Sequence, residues 1–154
     1  MSLITTFDSG EFTGWAQGRN GRLLAAGLVH VFPHKPMGQL PMAQGGIVTI
    51  EKPVHRRNGR TVDPNKMITL GIKVGRLVET YLVLGNEVDV IVPSDWKGGT
   101  PKEIQNKRDQ GAMTPEEMTI VGPVINAVAE SYRNNVWDAI GIFFWTARRQ
   151  KERT

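Results

Sequence analysis

The residues of this chain best suited to chemistry are three acids far apart in sequence: Asp8, Glu51 and Asp138. Each has an ordinary reading. Asp8-Ser9-Gly10 is a common turn triplet. Glu51 stands where an apolar run leaves the core, a usual place for a solvated glutamate. Asp138, with Asn135 as a cap three residues earlier, would favour the start of a helix by up to ~1 kcal/mol. Their conjunction says more. If the segments ending in Asp8 and Glu51 are parallel neighbours in a sheet, both carboxylates leave it at one edge, and a helix start near that edge supplies the third. Three carboxylates so close repel one another unless a cation neutralises them. With no cysteine in the chain, oxygen or imidazole must hold any metal, which favours Mg2+, with Mn2+ as a substitute. Two such ions about 4 Å apart activate a water and stabilise the leaving oxygen in a phosphodiester displacement.

The surroundings suit a phosphate-bearing partner. Nineteen Lys and Arg against fifteen Asp and Glu give a net charge of +4, and the distribution is more telling than the total. Lys52, Arg56, Arg57 and Arg60 follow Glu51 closely and are placed to grip phosphates beside a scissile bond, unless they only keep a loop soluble. Lys97, Lys102, Lys107 and Arg108 form a second candidate surface, in which Lys102 and Lys107 could stabilise charge in a transition state. Trp96 beside Lys97 either stacks on DNA or packs over a helix end. His30, His34 and His55 lack metal-ligand spacing and read as surface or loop residues.

These residues must be positioned by regular elements. Leu3–Phe7, Phe12–Ala16 and Leu23–Phe32 read as strands joined by turns too short for a parallel crossover, so they are antiparallel. Gly46–Glu51 reads as a fourth strand, buried on both faces. Met67, Leu70, Val74, Leu77, Val78, Tyr81 and Leu84 recur at helical spacing from Asn65 to the stop at Gly85-Asn86, and Val88–Val92 is a fifth strand. Pro101–Asp109, Pro115–Tyr132 and Asp138–Gln150 read as helices, the last too apolar to lie on the surface. Gly71 and Gly75 share one side of the long helix and permit close approach of the sheet or a second subunit, the sheet being the preferred reading. Met67, Tyr81, Phe143 and Phe144 are assigned to the core. The fold class is α/β, with three antiparallel strands and two parallel ones in one mixed sheet flanked by helices.

At this point the chain resembles the RuvC-type Holliday-junction resolvases of the ribonuclease H-like superfamily, and within them the compact phage-encoded branch. Asp8-Ser9-Gly10 followed by Thr13-Gly14-Trp15-Ala16 is similar to the family's opening pattern, Ile47–Glu51 to the strand bearing its second acid, and Asp138-Ala139 to its closing motif. Trp96-Lys97-Gly98 and Pro101-Lys102 resemble the signature of the phage branch. The resemblance implies a homodimer that recognises four-way DNA junctions and nicks two strands symmetrically, with Asp8, Glu51 and Asp138 as catalytic metal ligands. In the family a further ligand commonly lies one helical turn before the last aspartate. Here that place holds Asn135, whose amide carbonyl can ligate but brings no charge. The loop after Glu51 also lacks the aromatic wedge found in many members.

At 154 residues and 40% hydrophobic composition, the chain is expected to form one domain, residues 1–154, with a core of its own. No run approaches the ~20 apolar residues of a membrane span, and the N-terminus has neither basic head nor apolar core. The expectation is a soluble protein of the bacterial, or phage-infected, cytoplasm. A ribonuclease H acting on RNA-DNA hybrids and a catalytically silent branched-DNA-binding module remain as alternatives. An actin-like ATPase would need a second such domain.

Overall fold

Strict alternation along the first strands decides which residues meet which layer. The computed structural model describes residues 2–54, 56–57, 60–61 and 63–154, with residues 56–57 and 60–61 in backbone only. Strands β1 (Ile4–Asp8), β2 (Thr13–Arg19), β3 (Arg22–Val29), β4 (Ile47–Glu51) and β7 (Glu87–Ile91) form one sheet in the order β3-β2-β1-β4-β7. β1 pairs antiparallel with β2 and parallel with β4, and β4 pairs parallel with β7, as the strand pattern requires. β2 runs on to Arg19 because the turn into β3 is tight: Asn20 and Gly21 both adopt positive φ, 54° and 73°, the hand that matches strand twist.

Helices cover both faces of the sheet. Helix α1 (Pro64–Val83) lies on one, where Phe7, Val48 and Ile50 pack with Val74, Leu77 and Tyr81. On the other, α5 (Arg133–Arg153) and α4 (Pro115–Ala127) cover Ile4, Ala16, Leu23 and Ile47 with Val121, Val136, Ile140 and Phe143. Residues two apart in a strand share a face. Ile4, Thr6 and Asp8 therefore point towards α5, as do Ile47, Thr49 and Glu51. Polar bonds fix that layer: the Thr6 hydroxyl donates to the Ala139 carbonyl at 2.7 Å, and Thr146 donates to Thr49 at 3.1 Å. The α5 backbone comes so close to β2 that a Cβ on Gly14 would overlap the Asn135 carbonyl.

Several boundaries differ from those read in the sequence. Helix α5 begins at Arg133, so Asp138 lies in its second turn and does not open it, and Asn135 does not cap it. The preceding helix stops at Ala127, where Val128 turns extended, and a short 3-10 turn spans Glu130–Tyr132. Within the stretch expected to form a plain basic loop, β5 (Arg56–Arg57) pairs antiparallel with β6 (Arg60–Thr61). A four-residue helix α2 (Pro93–Trp96) and then α3 (Lys102–Ala112) follow β7. Gly71 and Gly75 have nothing within 4 Å of a Cβ built on either, which overturns the reading that they let the sheet approach. Met67 is half-buried, outside the core assigned to it.

Candidate active site

The parallel register of β1 and β4 sets Asp8 directly opposite Glu51, each the last residue of its strand. Both face α5, whose second turn presents Asp138 to them. All three are nearly out of solvent, at 8%, 7% and 3% exposure. Burial pushes the Asp8 carboxyl well above the ordinary carboxylate range, and the charges of Glu51 and Asp138 and a hydrogen bond with Glu51 add to the rise. Lys102 opposes it. The Glu51 carboxyl is raised as well, chiefly by burial, against donation from the Trp96 indole and the charge of Lys97. Both carboxyls therefore favour the neutral form more than free ones do, Asp8 the more strongly. Removing a carboxylate from water costs several kcal/mol, well beyond the ~1 kcal/mol of an ordinary hydrogen bond, so a neutralised Asp8 is the expected response to cation-free burial.

Asp138 is treated differently. Its Oδ2 pairs with Lys102 at 3.5 Å and Lys97 at 3.9 Å, while its Oδ1 is buried with no hydrogen-bond partner. The sequence grouped those lysines with a phosphate-binding surface; the fold turns them onto an acid of the cluster. Among the described residues, no three or more His, Asp or Glu side chains are disposed to hold one metal ion. The acids are neighbours without pointing at a common centre, and two ammonium groups lie on one side of Asp138. The chemistry of the donor set still suits a divalent cation: two adjacent carboxyls, and a third whose buried oxygen lacks a partner.

The remaining site residues fall into two groups. The Asn135 amide nitrogen donates to the Phe12 carbonyl at 2.8 Å, tying α5 to the turn after Asp8 and leaving the amide oxygen as its only potential ligand atom. Trp96 is buried and its indole donates to Glu51 Oε2, which removes it from any DNA-stacking surface. Lys107 and Arg108 are exposed on α3. Lys107, five residues on from Lys102, falls on a different face of α3. Lys52 is exposed directly after Glu51. His55 and the side chains of Arg56, Arg57 and Arg60 lie outside the described residues. His30 stacks within an aromatic row with Phe12 and Phe32, and His34 is exposed.

Two participants escaped the sequence reading. Ser9 donates its hydroxyl to the Glu51 carbonyl, bracing the two strand ends. Asp109 on α3 is a fourth buried carboxylate beside the cluster; burial raises it to about 6, Gln105 and Arg148 pull it down, and Asp138 pushes it up. Its Oδ2 has no hydrogen-bond partner. The seven-residue spacing from Lys102, two helical turns, was the available signal.

No protein-family model and no curated protein matches the sequence. Among solved structures, Thermus thermophilus RuvC in complex with a Holliday junction substrate superposes with a TM-score of 0.56, across 99% of this chain and 96% of that one, at 15% identity. The chain has the ribonuclease H-like fold of RuvC, a five-stranded mixed sheet flanked by helices.

Proposed function

We propose that this protein is a divalent-metal-dependent endonuclease that cuts branched DNA at four-way junctions. The single observation that carries the reading is the register of Asp8 against Glu51 at the ends of two parallel central strands, with Asp138 facing both from α5. The RuvC-like fold, and the junction bound by that neighbour, favour branched DNA over other nucleic acids. Asp8, Glu51 and Asp138 would hold Mg2+ or Mn2+, with Asn135 contributing its amide oxygen. The ion supplies an activated water and positive charge at the scissile phosphate. Lys97 and Lys102, already within 4.0 Å of Asp138, would offset the negative charge that builds on the phosphate. Lys52, Arg56, Arg57 and Arg60 after Glu51, with Lys107 and Arg108 on the outer side of α3, would hold the flanking backbone.

Symmetric cleavage needs two sites and the chain carries one acid cluster, so the working unit is a homodimer. Helix α1 is the surface that suits it. Ile68, Ile72, Leu82 and Val83 are exposed along one side with Gly71 and Gly75 between them. A helix related to itself by a two-fold axis near the glycines would bury this stripe.

The test is cleavage of a labelled four-way junction with Mg2+ and with chelator, beside flap and RNA-DNA hybrid substrates. Mg2+-dependent paired nicks in the junction are expected, and Asp8→Asn and Asp138→Asn should abolish them while retaining junction binding. Preference for the hybrid would make the protein a ribonuclease H. A second reading is binding without cleavage, favoured by the lysine pairing that compensates Asp138 without metal. Tight junction binding with no nicks under Mg2+ or Mn2+ would establish it.

A further inference from the structure

The Glu51 carboxylate accepts from an uncharged indole carried by the four-residue helix α2, and Lys97, directly after that helix, pairs with Asp138. The Trp96 indole N–H donates to Glu51 Oε2. Its ring is held from behind by the cluster of Ile91, Ile142 and Trp145. From the side it is held by α5, where a Cβ on Gly141 would come within 2.5 Å of Cζ3. Gly141 lies one turn beyond Asp138. The next residue, Lys97, places its ammonium 5.1 Å from the indole centroid while pairing with Asp138. Helix α2 itself is braced by Asp95, whose carboxylate accepts from the Val92 N–H at 2.8 Å. Trp96 is thus locked on three sides and points its single polar atom at one carboxylate oxygen.

We propose that Trp96 is a positioning residue that fixes the Glu51 carboxylate, occupying Oε2 so that the other oxygen is presented to Asp8 and the bound cation. The inference rests on the nuclease reading for its consequence, though not for the bond itself. An indole is suited to the task because it donates but cannot accept and carries no charge to compete with a metal. A lysine there would neutralise Glu51 outright. Partners of this kind behind a metal ligand typically cost roughly 10- to 100-fold in metal affinity or activity when removed.

Two measurements decide it. In 15N-labelled protein, the indole resonance that disappears in Trp96→Phe should shift in Glu51→Gln, while those of Trp15, Trp137 and Trp145 hold still; an unmoved resonance overturns the proposal. By calorimetry, Trp96→Phe should bind Mn2+ roughly 10- to 100-fold more weakly than wild type with junction affinity unchanged, and wild-type Mn2+ affinity overturns the positioning role. Should Trp96→Phe fail to fold, Gly141→Ala displaces the ring with its N–H intact and should reproduce the loss of Mn2+ affinity. A wild-type chain that binds no Mn2+ sinks the nuclease reading, and the indole shift then still decides whether Trp96 holds Glu51.

Discussion

At the scale of single residues, the behaviour of Asp8 follows from its being the most burdened of the acids. Its folded carboxyl holds a proton more tightly than it would in the unfolded chain, so the native state binds more protons there. The stability associated with this group is fully present at pH below the unfolded carboxylate range and is lost as pH rises towards the elevated folded value. Asp8→Asn, which keeps the neutral form, should therefore raise the melting temperature at pH 8 and change it little at pH 4, as differential scanning calorimetry would read. A divalent cation acts in the opposite sense, rewarding the ionised form, so Mg2+ should stabilise wild type more at pH 8 than at pH 5.5 and leave Asp8→Asn nearly unaffected. Equal stabilisation of both proteins by Mg2+ would remove Asp8 from the ion's ligands. The acids themselves were legible as candidates because each stood beside an interpretable strand or helix. Their partners were not, since Trp96 and Lys97 reach the cluster from the end of a short helix that the sequence did not signal, and Lys102 from the first turn of α3.

At the scale of elements, the site depends on how α5 seats on the sheet. Gly14 is the closest approach, and any side chain there must push the Asn135 backbone away. Gly14→Val should lower stability by about 1–3 kcal/mol or more, the usual cost of overpacking, and should weaken cleavage further than its loss of stability explains because Asp138 moves with the helix. Helix α3 is seated by different means. Its inward face is polar, Lys102 pairing with Asp138, Asn106 donating to Asn134 at 3.3 Å, and Asp109 buried against Gly141. Asp109 is raised to about 6, so its ionised form is a cost borne above that pH and relieved below it. Asp109→Asn should raise the melting temperature at pH 8 and not at pH 4.5, and an equal gain at both would assign the effect to packing. Such a helix reads in the sequence as a solvated surface, because charge pattern alone does not distinguish a polar interface from water.

For the whole molecule, the proposed homodimer rests on the exposed apolar stripe of α1. Ile72→Glu places a charge near the two glycines, where the proposed axis passes. It should convert a dimer to a monomer in analytical ultracentrifugation while Mn2+ binding persists, since α1 and the acid cluster lie on opposite faces of the sheet. Loss of paired nicking with single nicks retained would accompany it. No helix of the described residues is long and apolar enough to cross a membrane.

The five strands of the sheet, their pairing directions and the long helices α1 and α5 were legible in the sequence alone, as were the three acids as candidates, because hydrophobic period and turn length are local properties of the chain. Alternation even dictated that Ile4, Thr6 and Asp8 share a face. Only the tertiary structure decided which helix covers that face, that Asp138 sits a turn inside α5, and that lysines and an indole already occupy its neighbours. Those outcomes come from contacts between residues 36 to 133 positions apart, Lys102 to Asp138, Trp96 to Glu51 and Thr6 to Ala139 among them, and no local pattern encodes them.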